Sequence, residues 1–396
     1  MKKYFTGSAQ IRILVVGMAA LIALVIVLDS LPVPQTVSQK VSAETLLSDL
    51  LTDTTVPETT FVMELPTYAP SDSTEAVPET TLPPETTETA PETTAPVPER
   101  DPNVTLLTFL GACSPGSPMG TSAYGSLNSV AQDKGNSFFF SRLSDILHTD
   151  DFTVAANACV FTDTPVGSAL ACSAPASQSE IYSTGGIDFV SLSTPHFRET
   201  TSDFRTETKN ALEELSLVCA DENSVSYMDI NDIRIGLYCA IVEKGADSSA
   251  AIQKIRTAAE EADYVVVYFW SSDTISSTPE EWLRYILHQF AEAGASLLVG
   301  VSEGEIRPIE QYKNCTIAYS LGSLINGGSF RTDSISVLLQ LELRKNEDGT
   351  LKSEVSVIPC SMEENRWQPA VLPDGETKKL VDSFLSGKTD LPLVNQ

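Results

Sequence analysis

Residues 262–270, ADYVVVYFW, and residues 278–299, TPEEWLRYILHQFAEAGASLLV, decide the fold class of this chain. The segment YVVVYFW is a short apolar run rich in β-branched and aromatic residues, which is typical of a buried strand. Thr278 and Pro279, followed by paired glutamates, indicate a helix start, and Gly294 indicates its end. A second apolar run, SLLV, closes the stretch. Strand, helix and strand in this order predict a parallel β-α-β unit with a crossover helix.

Similar segments extend this pattern in both directions. Short apolar runs alternate with amphipathic stretches, which predicts an α/β layered sandwich of mixed sheets flanked by helices. The other predicted strands are Val104–Leu110, Thr153–Ala158, Asp188–Leu192, Arg234–Ala240, Thr316–Ser320, Ile335–Leu343 and Ser353–Ile358. The other predicted helices are Phe138–Leu147, Asp203–Leu215 and Ser248–Ala262. Because the last three strands follow one another without helices between them, we expect them to form a second sheet.

The N-terminal segment, residues 1–29, is predicted to be a cytoplasmic tip and a transmembrane signal anchor. Lys2, Lys3 and Arg12 precede the uncharged apolar run Ile13–Leu28. Positive charge before the run orients the N-terminus inside and the rest of the chain outside. A cleaved signal peptide is the alternative, and both interpretations export the domain. We therefore expect a single-pass protein of the cell membrane with an extracellular globular domain.

Residues 30–101 are predicted to be a disordered stalk. The segment is rich in Thr, Pro and Glu, and it has few aromatic or basic residues. The tetrapeptide PETT recurs at Pro57, Pro78, Pro84 and Pro91. Such a composition buries too little apolar surface to order the chain, and Pro keeps it extended at ~3.1 Å per residue. The stalk therefore spaces the globular domain, residues 102–396, from the membrane by a distance on the order of the thickness of a Gram-positive cell wall.

The charge of the chain limits its partners. The formal net charge is −28, and after Asp101 acidic residues still outnumber basic residues two to one. Nucleic-acid binding rests on Lys and Arg that neutralise phosphates, so we exclude a nucleic-acid partner. A strongly acidic domain is also a poor direct ligand for a polyanion. The remaining partners are the membrane, through the single N-terminal helix, and components of the cell envelope.

Seven cysteines lie far apart in the sequence, without a C-x-x-C pair. This spacing excludes a zinc knuckle or a thioredoxin-type motif. We expect small buried hydrophobic residues, with one disulfide as an open alternative.

Several phrases in the globular part resemble the bacterial capsule-synthesis CapA/PgsA family. Residues 317–323, IAYSLGS, are similar to that family's I-x-Y-S-L-G-N, and residues 308–313, PIEQYK, are similar to P-I-E-x-Y-K. Residues 186–192, GIDFVSL, resemble G-F-D-V-V-S-L, and residues 262–267 resemble A-D-x-V-I-V. The resemblance implies a metallophosphoesterase-like fold. It also implies a role in the synthesis, export or attachment of a poly-γ-glutamate-type capsule polymer.

The chain departs from the family pattern at the polar positions of the strand ends. These positions, the remains of the family's site, are Ala112, Asn157, Cys159, His196, Phe269, Trp270, Ser302 and Ser323. Of these, only Asn157 and His196 keep the residue type of the family pattern. A catalytic metal needs about three protein ligands per ion. We therefore interpret the chain as a degenerate, non-catalytic member, a pseudoenzyme, that holds no metal or other cofactor.

Three alternatives remain open at this stage. One is an active hydrolase, of metallophosphoesterase or amidase type, with a site rebuilt around His196, Glu303 and Glu305. Another is a carboxylate site for Ca²⁺ formed by Glu303, Glu305 and Glu310. If the sheet implied by the resemblance holds, Cys113 and Cys159 would be neighbours, so a disulfide across the old site is the third.

Overall fold

The fold is described from a computed structural model of the chain. The structure describes residues 101, 103–166, 172–271, 278–302, 306–327, 335–362 and 367–388. All of them belong to one compact unit, Glu92–Gln396. The predicted anchor, and the predicted stalk apart from Asp101, lie outside these residues. Within this described part of the chain, no helix is both long enough and apolar enough to cross a membrane.

The secondary structure alternates between strands and helices along most of the chain. The strands are β1 (Val104–Ser114), β2 (Phe152–Asn157), β3 (Val160–Phe161), β4 (Ser173–Ala174), β5 (Phe189–Ser191), β6 (Val218–Ala220), β7 (Val225–Ile230), β8 (Ile233–Val242), β9 (Tyr264–Ser271), β10 (Leu297–Val301), β11 (Ile309–Tyr312), β12 (Cys315–Ala318), β13 (Ser323–Asn326), β14 (Ile335–Lys345), β15 (Leu351–Ser361) and β16 (Ala370–Val371). The α-helices are α1 (Leu127–Lys134), α2 (Ser144–Leu147), α3 (Glu180–Thr184), α4 (Pro195–Arg198), α5 (Ser202–Glu213), α6 (Ser249–Glu261), α7 (Glu281–Glu292) and α8 (Glu376–Leu385).

Two mixed sheets form the centre of the domain. The first has the order β16-β15-β14-β1-β2-β5-β6, and β13 pairs with the carboxyl end of β1. In this sheet β1, β2, β5 and β6 are parallel, whereas β14 runs antiparallel to β1. The second sheet has the order β11-β12-β10-β9-β8-β7, with β8, β9, β10 and β12 parallel. Antiparallel strands, β11 and β7, lie at its two edges.

Strand β9 shows how the layers are built. Tyr264, Val266 and Tyr268 belong to the apolar core between the two sheets. Val267 and Phe269 belong to a second core, between the second sheet and helices α6 and α7. Because successive side chains of a strand point to opposite faces, a continuous apolar run covers both faces of a buried sheet. A third core covers the outer face of the first sheet with helices that include α1, α3 and α5. The order is therefore helix, sheet, sheet, helix.

The α/β class with helix-flanked mixed sheets is confirmed, but two element predictions are wrong. The predicted helix Phe138–Leu147 is a pair of 3-10 turns followed by only one α-helical turn, α2. The last three predicted strands do not form a sheet of their own. The strand near Thr316 joins the second sheet as β12, whereas β14 and β15 extend the first sheet beside β1. The sheet that each strand joins depends on pairing with strands distant in sequence. The local sequence pattern carries no information about that pairing.

All seven cysteines are free thiols. Six are buried and Cys219 is half-buried, so the interpretation as small buried residues holds for most of them. The disulfide between Cys113 and Cys159 is wrong. Both belong to the core outside the first sheet, where burial raises the pKa of the Cys113 thiol to about 12.

Candidate functional site

The segment Tyr319–Ser323, here called the bridge, joins the carboxyl ends of the two sheets. Its Leu321 N–H donates a hydrogen bond of 2.9 Å to the Gly300 carbonyl oxygen, near the end of β10. Its Gly322 carbonyl oxygen accepts a hydrogen bond of 2.9 Å from the Ala112 N–H on β1. The carboxyl ends of parallel strands are where α/β proteins place their sites. The bridge therefore marks the position at which a site is expected.

Glycine permits the bridge to pass so close to β1. Gly322 has a φ of +75°, a left-handed conformation that favours glycine. A Cβ at Gly111 would overlap the Gly322 carbonyl oxygen. The segment IAYSLGS therefore needs glycine at position 322 for its backbone conformation, apart from any chemical role of its side chains.

The side chains around the bridge that face the space between the sheets are apolar. Ala112, Val301, Ile306 and Leu321 are buried in the intersheet core, and Trp270 packs against it. None of these side chains offers a carboxylate or an imidazole. The geometry of a strand-end site is present, but apolar groups fill it.

Three serines, two of them in the bridge and one at the end of β10, supply side-chain hydroxyls here. The Oγ atoms of Ser302 and Ser320 lie 3.0 Å apart, and Ser320 Oγ also accepts a 3.1 Å hydrogen bond from the Gly322 N–H. Ser323 is the Cα partner of Ala112 in the β1–β13 register. Its Oγ is buried and has no hydrogen-bond partner among the described residues. Hydroxyls of this kind hold backbone in place and are weak metal ligands.

Asn157 is fully buried at the end of β2 and has structural partners. Its amide nitrogen donates to the Cys159 carbonyl oxygen at 2.7 Å, and its Oδ1 accepts from the Cys159 N–H at 3.2 Å and the Tyr182 hydroxyl at 3.1 Å. Its main-chain carbonyl oxygen accepts a hydrogen bond from the Thr194 hydroxyl. Asn157 therefore fixes the turn after β2 and ties it to the turn after β5.

Two of the predicted site residues do not face the space between the sheets. Cys159 lies in the core outside the first sheet, and Phe269 lies in the core between the second sheet and its helices. Trp270 lies on the opposite face of β9 from Phe269, toward the intersheet core. Ala112, Ser302, Ser323 and Trp270 therefore surround the carboxyl ends of the strands, whereas Cys159 and Phe269 do not face that space.

His196 lies in the single-turn helix α4, after the carboxyl end of β5. The Thr194 side chain caps this helix by accepting a hydrogen bond from the Phe197 N–H. Since Thr194 also donates to the Asn157 carbonyl oxygen, α4 is anchored to the end of β2. His196 is half-buried and has interaction partners. Its position at a strand end agrees with its place in the sequence pattern.

Of the three predicted carboxylates, Glu303 and Glu305 lie outside the described residues. Glu310, on the edge strand β11, already has its partners. Tyr319 donates to it at 2.5 Å, and His288 Nε2 lies 3.0 Å from its Oε1. Burial alone would raise the pKa of Glu310, but these hydrogen bonds lower it below its usual value. Glu310 links α7 to the sheet edge.

The family model described as Bacterial capsule synthesis protein PGA_cap matches residues 107–328. The chain belongs to this family. The match covers every strand end described above, including the bridge. The resemblance of its phrases to the capsule-synthesis family is therefore confirmed.

One curated relative is the PGA biosynthesis protein CapA of Bacillus subtilis (strain 168), 28% identical over 151 residues. The aligned part makes up 35% of this chain and 39% of that protein. This PGA_cap chain therefore matches well under half of the relative's length.

Two solved structures of Chaetomium thermophilum Vps29 were also found, one of them in complex with the RaPID-derived cyclic peptide RT-D3. Both are 11% identical to this chain with a TM-score of 0.23. The complex covers 65% of this chain and 98% of its own, and the other structure covers 64% and 97%. Similarity at this TM-score supports no argument about the fold.

The described residues at the strand ends of this PGA_cap domain do not fit the metal centre that a metallophosphoesterase-like fold implies. A two-metal site needs several carboxylates and imidazoles with an open position for water. Among the described residues, no three His, Cys, Asp or Glu side chains are grouped so as to hold a metal ion. At the bridge the donor set consists of serine hydroxyls beside the Ala112 methyl and the Trp270 ring. We derive no metal-dependent step for this site.

One feature of the PGA_cap domain could not be predicted from the sequence. A cavity lies beyond the ends of β1 and β2, between the loop at Gly120 and the pair β3–β4. Two loops and a short strand form it. The sequence signal for this cavity is limited to the two threonines, Thr162 and Thr164, on either side of Asp163.

Proposed function

We propose that this chain is a non-catalytic member of the PGA_cap family that acts in the bacterial cell envelope. It serves the synthesis, export or attachment of a poly-γ-glutamate-type capsule polymer as a binding or scaffold module. Residues 1–29 hold it in the membrane, and residues 30–101 space its domain from the surface. The observation that carries the proposal is the apolar filling of the strand-end site by Ala112, Val301 and Trp270.

Chemistry at this site needs groups that the described residues at the ends of β1, β9 and β10 do not provide. General acid–base catalysis requires a titratable side chain within hydrogen-bonding reach of the reacting atom. Asn157, which keeps the residue type of the family pattern, uses its amide for Cys159 and Tyr182. Of the serines at the bridge, Ser302 and Ser320 hydrogen-bond to each other, and Ser320 also accepts from the Gly322 N–H. Without an adjacent base, a serine hydroxyl is a weak nucleophile.

The fold that we propose is of the metallophosphoesterase type. Two mixed sheets packed face to face, with helices on both outer faces, support it. The position of the bridge at the strand ends also supports it. The proposed fold does not depend on whether the domain is catalytic, because function resides in sites and one fold can carry different sites.

The partner that best fits this domain is the protein machinery of polymer synthesis. The formal net charge of −28 opposes close approach of a polyanion such as poly-γ-glutamate. A scaffold that contacts a synthesis or export protein meets no such barrier.

The second candidate function is an active hydrolase, of metallophosphoesterase or amidase type, rebuilt around His196, Glu303 and Glu305. The observation in its favour is the place of His196 at the carboxyl end of β5, next to the turn held by Asn157. Such an enzyme would bind metal or turn over substrate.

Metal analysis and a hydrolysis screen of the full-length chain separate the two candidates. The substrates are a phosphodiester and a γ-glutamyl peptide, tested with the wild type, His196→Ala and the surface control His148→Ala. We expect less than stoichiometric metal and no turnover by any of the three. Stoichiometric transition metal, with turnover lost in His196→Ala and kept in His148→Ala, would overturn the non-catalytic proposal.

A further inference from the structure

A cavity of about 370 Å³ opens beside the two-stranded pair β3–β4. One wall is the loop that follows β1, and the other consists of residues 162–166, which follow β3. Its volume lies in the range of small-molecule sites. It is separate from the bridge, and the proposed function does not use it.

Ser173 places an unpaired hydroxyl in this cavity. The residue is 1% exposed, and its Oγ has no hydrogen-bond partner among the described residues. Its backbone is fully paired, since its N–H and carbonyl exchange 3.0 Å hydrogen bonds with Ser117, and Asn128 donates to the same carbonyl oxygen. The backbone that carries the hydroxyl is therefore held in place. A buried hydroxyl without a partner destabilises the fold, so such a group indicates a missing partner.

Gly120 keeps the space beside this hydroxyl open. A Cβ at Gly120 would lie 3.1 Å from Ser173 Oγ and 3.4 Å from Val166 Cγ2. The φ of Gly120 is +65°, a conformation that side chains disfavour. The loop therefore approaches Ser173 with a residue that has no side chain to occupy the cavity.

The opposite wall accepts hydrogen bonds. The hydroxyls of Thr162 and Thr164 both donate to the Glu207 carboxylate, the second at 3.0 Å. A carboxylate only accepts, so both hydroxyls donate to it and their oxygens can still accept. Thr162 Oγ1 uses one lone pair for the Thr164 N–H at 2.9 Å, which leaves it one further acceptor position. Asp163 Oδ1 accepts from the Ala176 N–H, and its other oxygen is also an acceptor. A ligand must supply donors to this wall, where an anion would meet only acceptors and negative charge.

We propose that this cavity binds a small hydroxylated primary amine of the amino-sugar class. The ammonium group is placed by the acceptors Thr162, Asp163 and Thr164, and a ring hydroxyl pairs with Ser173 Oγ. Pro165 and Pro175 line the same cavity and offer apolar contact to the C–H face of a sugar ring. Both the amine and the hydroxyls are needed, because the walls combine acceptors with one hydroxyl that also donates.

Saturation-transfer difference NMR on the full-length chain tests the proposal with glucosamine as the probe. Glucose and glucuronate are matched probes without the amine. We expect saturation transfer to glucosamine, at least fivefold less to glucose, and none to glucuronate. Transfer to glucose or glucuronate equal to that for glucosamine would overturn the proposal, as would no transfer to glucosamine.

Two variants test whether the saturation transfer arises at this cavity. Ser173→Ala should reduce transfer to glucosamine at least fivefold while the unfolding midpoint stays the same or rises, because an unpaired hydroxyl is removed. Thr164→Val, on the exposed side, should also reduce it. The control is Ser336→Ala, which removes a buried hydroxyl that donates to the Leu321 carbonyl oxygen at 3.2 Å. Ser336 lies on β14, far in the sequence from the residues that line the cavity. Full transfer in both Ser173→Ala and Thr164→Val would overturn the assignment.

Discussion

The Tyr268 hydroxyl donates a 2.6 Å hydrogen bond to the main-chain carbonyl oxygen of Leu110. The two residues belong to different sheets, β9 and β1, and the bond crosses the apolar core between them. The β1–β2 register shifts between Phe109 and Ala112, so β1 is irregular at this point. A bulge leaves backbone groups outside the strand ladder. Tyr268 thus supplies the hydrogen-bond donor for a buried carbonyl oxygen, just before the strand end at which the family site is expected.

Substitution of Tyr268 by Phe should lower the free energy of unfolding by about 1–3 kcal/mol, because a buried carbonyl oxygen loses its donor. Urea denaturation followed by circular dichroism measures the change. Tyr285→Phe is the matched control, since Tyr285 is 65% exposed and should change stability little. Equal stability of Tyr268→Phe and wild type would show that the carbonyl finds another donor.

Asp150 gives a prediction for pH dependence. Burial raises its pKa to about 6, against the opposing hydrogen bonds of Thr108 and Thr153, and the nearby carboxylates of Asp188 and Asp151 raise it further. The folded state then binds the proton more tightly than the unfolded state. The stabilising contribution is complete below about pH 4 and is lost as pH rises through about 6.

Asp150→Asn should therefore stabilise the folded chain at pH 7.5, by at most about 3 kcal/mol. It should also flatten the fall in unfolding free energy between about pH 4 and 6. Urea titrations at several pH values measure both effects. The exposed Asp133→Asn is the control. A loss of stability at pH 7.5 on removing the Asp150 charge would contradict the sign of the predicted effect.

The thiols should be present and unreactive in the native chain. Burial raises the pKa of Cys113, Cys239 and Cys360 to about 12, so little reactive thiolate exists near neutral pH. We expect slow reaction with Ellman's reagent at pH 8 and release of all seven thiols in denaturant. A count of five in denaturant would reveal one disulfide and contradict the free thiols of the structure.

The predicted anchor can be tested in a bacterial host. We expect the full-length chain in the membrane fraction, with its domain accessible to added protease. Deletion of residues 2–29 should move the chain to the cytosolic fraction, because both the span and the export signal are lost. A control that replaces Ile13–Leu28 with an unrelated apolar span should restore membrane association. Secretion of the intact chain into the medium would instead indicate a cleaved signal peptide.

Much of the site's placement could be predicted because it rests on local sequence. The phrase IAYSLGS and the continuous apolar run of β9 are local patterns, and they predicted the family and a buried strand. Which residues face the site was harder. Trp270 and Phe269 are neighbours, and the sheet face that each occupies depends on how β9 packs.

The sequence by itself determined the α/β class, the family, the acidic charge and the apolar residues at the strand ends. Periodicity, caps and short phrases are set within one segment of chain, so they can be read without a partner. Only the tertiary structure decided that β14 and β15 join β1, that Tyr268 reaches Leu110, and that Ser173 meets Gly120 and the acceptors near Glu207. Each of these depends on contacts between residues far apart in the chain, and close packing of whole layers selects them.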